Sequence, residues 1–162
     1  MGNLIDPGTA MMLTKLAVAM LLGMVLGVER IVAHKTAGMR TYALVAMGSA
    51  LFVIISELAL RAYQGASGIN PMQIAGQIVS GIGFLGAGLI IFKDSKLMGL
   101  TTATSIWVSA GIGMAAGFGF FDLAILATLL TLFIFVVLWF VEQKIKELPI
   151  VQNSNPDDEG LR

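Results

Sequence analysis

The sequence predicts an all-α polytopic membrane protein with five transmembrane helices, its N-terminus outside and its C-terminus cytoplasmic. Three observations carry that expectation. Of the 162 residues, 57% are hydrophobic and only 12% charged, about half the roughly 25% charge of an ordinary soluble domain. Mean hydropathy is +0.88, more apolar character than a soluble core of this size could hide. Finally, the apolar residues gather into five runs, each close to the ~20 residues that cross the hydrocarbon layer as helix. The runs are continuous rather than alternating, which favours helices over barrel strands.

The first span, Ala10–Val28, carries Gly23-x-x-x-Gly27, a small-residue spacing that lets helices approach closely in lipid. No small-x-small cleavage site follows it, so it reads as a retained span rather than a signal peptide. Asp6 stands where a myristoylation signal after Gly2 would need Ser or Thr. The second span is Thr41–Leu60. The third, Gln73–Phe92, is sided: Gly76, Ser80, Gly83 and Ala87 form one stripe, with Ile78, Ile82, Leu85 and Leu89 opposite. The fourth, Thr101–Phe121, repeats small or polar residues at steps of four: Thr101, Ser105, Ser109, Gly113 and Gly117. A tight turn at Gly117–Asp122 leads to the fifth, Leu123–Val141, which has no glycine and is bulky on every side. These features place spans three and four at the centre of the bundle and span five at its lipid-facing edge. Residues 1–148 form the five-helix domain, and 149–162 read as a disordered cytoplasmic tail.

Orientation follows from Lys and Arg placement. One side receives Arg30, Lys35, Arg40, Lys93, Lys96, Lys144, Lys146 and Arg162; the other receives only Lys15 and Arg61. The richer side is cytoplasmic. Lys15, near the outer end of span one, can snorkel to the headgroups.

Formal net charge is zero, so nothing points to nucleic acid. The chain has no cysteine and one histidine, His34, which leaves no basis for a disulfide, a thiol nucleophile or a metal site. Gly81-x-Gly83-x-x-Gly86 spells the dinucleotide-binding fingerprint, but the next acid, Asp94, comes too early and the motif lies inside a span. Helix packing is the better reading of Gly81, Gly83, Gly86 and Gly88. With no cofactor motif in context and no paired carboxylates, no enzymatic activity is expected. There are more small-residue stripes than one five-helix bundle needs, so a homo-oligomer is expected, with a dimer favoured.

Polar residues at membrane depth mark function by default. Candidates are Glu29, Arg30, Arg40 and Thr41 around the first cytoplasmic loop, Gln77 in span three, and Thr101 and Thr102 opening span four. Gly38-Met39-Arg40-Thr41 and Gly99-Leu100-Thr101-Thr102 are 61 residues apart, as are Gly27 and Gly88, which suggests parallel helix-pair repeats. Two helix N-termini would then meet Arg30 and Arg40 at the cytoplasmic face. They could receive an anionic group such as a lipid phosphate or the Glu29 carboxylate.

Gly27-Val28-Glu29-Arg30, AGMRTYALVAMGSALF from Ala37, NPMQIAGQIVSGIGFLGAG from Asn70 and GLTTATSIW from Gly99 together resemble the MgtC/SapB family of bacterial membrane proteins. They match its transmembrane domain, in a short form without the cytoplasmic domain that many members carry. The resemblance implies five helices in the bacterial inner membrane and a role in growth at low magnesium and in intracellular survival of pathogens. It also implies contact with other membrane proteins such as an F-type ATP synthase. Glu29, Arg30, Arg40, Thr41, Thr101, Thr102 and the Gly81–Gly88 series match the family pattern. Asn70 and Tyr42 depart from it, standing where the family often has Asp and His.

The expected function is therefore non-enzymatic: adaptation to low magnesium or membrane-energy stress through contacts with other membrane proteins and membrane lipid. The alternatives are a small divalent-cation transporter or channel, and a lipid-binding membrane module. Whether Glu29 pairs with Arg40 or faces water is left open by the sequence.

Overall fold

A computed structural model describes residues 6–63, 70–93 and 96–147. The tail expected to be disordered, 149–162, and Asp94 lie outside the described residues.

Helix α1 (Pro7–Val32) starts at Asp6, whose carboxylate accepts a hydrogen bond from the Gly8 N–H at 3.1 Å, with Pro7 in the first helical position. Helix α2 (Met39–Ala62) opens at Gly38 after a short turn containing His34. Helix α3 (Pro71–Leu89) is capped by Asn70, whose side-chain oxygen accepts from Met72 N–H at 2.9 Å. It stops three residues short of the expected Phe92, because Ile91–Lys93 (β1) leaves the helix to pair antiparallel with Lys96–Met98 (β2). Gly99 then turns the chain into α4 (Leu100–Gly117) with φ +87°. A side chain there would run into the Leu89 carbonyl oxygen, so both conformation and space demand glycine. Gly119, φ +84°, makes the turn into α5 (Phe121–Phe133). That helix continues through a π-helical turn, Ile134–Leu138, into α6 (Trp139–Lys146) as one rod.

Four of these rods are long and apolar enough to cross a membrane: Pro7–Val32, Met39–Ala62, Met72–Leu89 and Phe121–Lys146. Helix α4, 18 residues like the third of these, is richer in Thr and Ser, yet 11 of its 18 residues are buried. It is the hub of the bundle, shielded by its neighbours.

Backbones meet closely where small residues line up. A Cβ on Gly23 would stand 2.5 Å from the Tyr42 carbonyl oxygen, and one on Gly27 would stand 2.7 Å from Met39 N. These two glycines seat α1 on α2. Further along α2, Gly113 and Gly117 of α4 bring their backbones against Ala46 and Ala50, at 2.7 Å and 2.9 Å from the respective Cα for an added Cβ. Ser109 and Ser105 on the same α4 stripe are buried against Tyr42. The stripe of α4 therefore packs on α2.

This corrects the expectation that spans three and four form the centre: α2 and α4 do, and α3 is peripheral. Ile78 of α3 packs with Val53 and Ala110, supported by Ile74 and Ile82. So α3 docks through its large residues. The reason is steric: the small stripe of α4 is already spent on α2, and the remaining Val53–Ala110 surface needs isoleucine side chains to fill it. The small face of α3 turns away from the bundle. Gly76, Gly83 and Gly88 each have nothing within 4 Å of where a Cβ would stand; Gly81 is as open but borders the gap between α3 and α2, and Gly86 alone in the series touches a neighbour, Ala103 at 3.8 Å.

The expected repeat breaks down in its contacts. Gly27 abuts Met39 at the start of α2, whereas its counterpart Gly88 is open. The connections differ as well, a turn through His34 in one pair and a β-hairpin in the other.

Candidate functional site

Gly23, Gly27 and Arg30 follow steps of four and three on α1, so the face that seats α1 on α2 also carries Arg30 inward. Arg30 is only 3% exposed. Its guanidinium lies over the Phe135 ring, 4.4 Å from Cζ to the centroid, a cation–π contact. Phe135 comes from the π-helical turn, so that turn sets which aromatic faces the arginine. Glu29, with a side chain 18% exposed, places Oε2 3.4 Å from Arg30 Nη1. Among the described residues the ion pairs are this one, Lys15–Glu57 and Lys146–Glu142. Glu29 therefore pairs with its neighbour Arg30, not with Arg40.

Arg30 Nε and Nη2 are buried and have no hydrogen-bond partner among the described residues, and neither has Glu29 Oε2. A buried polar group left without a partner costs about 1–3 kcal/mol, and more when it is charged. Such groups are nearly always satisfied by protein, water or ligand.

Tyr42 is fully buried at the start of α2, the helix end that abuts α1 at Gly27, one turn before Arg30. Ser105 donates its own proton to the Thr102 carbonyl at 3.0 Å, so the short Tyr42–Ser105 bond runs from the phenol to the serine oxygen. Ser109 donates to the Tyr42 carbonyl at 3.1 Å. A polar seam thus ties α2 to α4 just inside the Arg30 end of the bundle.

The sequence candidates divide accordingly. Glu29 and Arg30 meet next to Tyr42, and buried Thr102 joins the seam through its carbonyl. Arg40, Thr41 and Thr101 are exposed at the starts of α2 and α4. Gln77 is exposed and stands apart, on the wall of a groove of about 600 Å³ between α2 and α3. Leu44, Gly48, Phe52, Gly81 and Leu85 also line that groove. It exists because Gly48 and Gly81 face each other's helices without filling the gap.

Sequence reasoning missed Phe135 and the central place of Tyr42. A buried phenol needs a hydrogen-bond partner, and the serines at steps of four in α4 were the available signal. It also missed the Lys15–Glu57 ion pair, 2.9 Å between half-buried side chains at the opposite end of α1 and α2. Both residues lie 21 positions from Thr36 in the turn, and an antiparallel hairpin puts such residues at one depth.

The family model described as the MgtC family matches residues 16–144. A YhiD protein of Escherichia coli (strain K12), named for a candidate role as a magnesium transporter, is 34% identical over 93% of this chain and 84% of its own length. Protein MgtC of Salmonella typhimurium (strain 14028s / SGSC 2262) is 45% identical over 83% of this chain. A Haemophilus influenzae protein is 43% identical over 80% of it. The chain spans about half the length of these last two relatives, 55% and 56%. No solved structure matches.

Proposed function

The chain belongs to the MgtC family, and we propose that it works through contacts within the membrane, serving adaptation to low magnesium or membrane-energy stress. It is a multi-pass inner-membrane protein of a non-catalytic family. The observation that carries the proposal is the outward small face of α3. Gly76, Gly83 and Gly88 stand open, and Gly81 and the exposed Gln77 lie on the wall of the α2–α3 groove. Lipid tails fill such a face poorly, whereas another helix gains close van der Waals contact there, and an exposed amide in hydrocarbon favours a polar neighbour.

In this reading the bundle crosses the membrane five times. Helix α4 is a crossing as well, the fourth in chain order, polar because its neighbours screen it from lipid. The basic ends of the helices set the C-terminus in the cytoplasm. The surface on α3 takes a second copy, other membrane proteins, or both, and an F-type ATP synthase is one partner to look for. A membrane pull-down under magnesium limitation tests this, comparing wild type with Gly83→Leu. The variant should lose its partners, and native mass spectrometry in mild detergent should show a shift from dimer toward monomer. Retention of every partner and of the oligomer would refute the role of this face.

A second reading, a divalent-cation transporter, is favoured by the name of the Escherichia coli relative. Hard cations need several oxygen ligands. Among the described residues no group of three or more His, Asp or Glu is placed to hold one, and Glu57 is tied to Lys15. Magnesium flux into proteoliposomes containing only this chain would support that reading.

A further inference from the structure

The two orphaned donors of Arg30 are not scattered over the guanidinium. Nε–H and one Nη2–H point the same way along one edge, the fork that takes two oxygens of a carboxylate or phosphate at once. Glu29 uses the other end, with Oε2 3.4 Å from Nη1. The fork itself is buried and has no hydrogen-bond partner among the described residues. One turn earlier on the same face of α1, Gly27 abuts Met39, the first residue of α2. Among the described residues no side chain caps that helix, and its partial positive charge lies at the same end of the bundle as the arginine.

We propose that Glu29 and Arg30 form a site for a phosphate group carried next to an ammonium, the chemistry of a phosphoethanolamine lipid headgroup. The fork takes two phosphate oxygens, and Glu29, whose Oε2 is buried without a hydrogen bond, takes the ammonium. Charge decides for the zwitterion. Glu29 and Arg30 together are neutral, so a lone anion would leave an uncompensated negative charge in the interior, whereas a zwitterion leaves none. The depth agrees: Arg30 lies at the end of the bundle that also carries Lys35, Arg40, Lys93, Lys96 and Lys144, where phospholipid headgroups would lie. Both donor atoms are closed to solvent in this structure, so the headgroup enters as Phe135 gives way. A π turn, looser than regular helix, is a suitable place for that movement. The inference does not depend on which membrane protein the chain contacts.

The test uses the full chain, purified in mild detergent and offered equal amounts of phosphatidylethanolamine and phosphatidylglycerol, with retained lipid read by native mass spectrometry. Wild type should keep phosphatidylethanolamine in preference. Arg30→Lys retains the charge but not the fork and should lower that retention by about tenfold. Equal retention in both proteins would overturn the site. A parallel arm offers inorganic phosphate alone. Arg30-dependent phosphate binding with no phospholipid retained would overturn the lipid source. Should Arg30→Lys fail to fold, Glu29→Gln leaves the fork intact and should erase the preference for phosphatidylethanolamine; an unchanged preference overturns the proposal.

Discussion

Gly113→Ala puts one methyl group where α4 crosses α2, and its cost can be worked from the structure. The new Cβ would stand 2.7 Å from both the carbonyl carbon and the Cα of Ala46. Ordinary contact begins near 3.4 Å, so the two carbons alone require the helices to part by roughly 0.7 Å, and the nearer carbonyl oxygen of Ala46 requires more. Both neighbours are backbone, and no rotamer change relieves the clash. That separation stretches the 3.1 Å Ser109–Tyr42 bond, one turn away, to about 3.8 Å or more, beyond hydrogen-bond reach. Overpacking costs about 1–3 kcal/mol and a lost interhelical bond in a membrane about 0.6–1.7 kcal/mol. The better helix propensity of alanine returns about 1 kcal/mol. The net expectation is a loss of about 1–4 kcal/mol. Gly83→Ala is the matched control, since nothing lies within 4 Å of its Cβ position; in the monomer it should be neutral or stabilising by up to about 1 kcal/mol. Unfolding in mixed micelles by titrated SDS, followed through Trp107 and Trp139 fluorescence, reads both. If Gly113→Ala matched wild type, or Gly83→Ala cost the monomer as much, the placement of α2 and α4 at the centre would be wrong.

Removing the phenol oxygen with Tyr42→Phe should cost about 0.6–1.5 kcal/mol. Tyr42→Phe and Ser105→Ala should be less than additive in the same unfolding assay, because they break one bond. Either Lys15→Met or Glu57→Gln alone leaves a half-buried partner charge unpaired, and each should destabilise by about 1–2 kcal/mol. The double replacement Lys15→Met with Glu57→Gln should cost less than the sum. Gly99→Ala must hold a left-handed conformation and meets the Leu89 carbonyl. It should cost at least about 1–2 kcal/mol and loosen the β-hairpin, seen as faster amide exchange in Ile91–Lys93 and Lys96–Met98.

Much of the helical framework was legible because apolar runs and their punctuation are local properties. Asn70 before Pro71 marks the start of α3, and Gly99 marks the start of α4. The small-residue face of α3 was legible as a pattern too, but its direction was not. A stripe says that something must come close; it does not say what. The α4 stripe meets α2, whereas the equally clear α3 stripe faces outward, and only the competition between the two for one partner decides that. The ion pair of Glu29 was undecidable for a similar reason. Arg30 is adjacent in sequence and Arg40 lies across the turn on the next helix, and the choice follows from Gly27 pressing α1 onto α2, which turns Arg30 inward while Arg40 stays exposed.

The polarity of α4 follows from the same geometry. Thr102, Ser105 and Ser109 are each no more than 3% exposed, and in this setting a hydroxyl can be satisfied by a carbonyl one turn back or across the interface. The bonds from Ser105 to the Thr102 carbonyl and from Ser109 to the Tyr42 carbonyl do this. A lipid-facing helix has no interface to offer, which is why the α5–α6 rod is filled instead with Leu, Ile, Val and Phe on its exposed faces. Its one strongly buried aromatic, Phe135, is the residue turned onto Arg30. The helix least able to cross a membrane by hydropathy thus sits at the centre, and the most apolar rod closes over the buried charge. Burial of Arg30 therefore depends on α5–α6 as much as on α1: the glycines bring the arginine in, and the π turn supplies the ring that covers it.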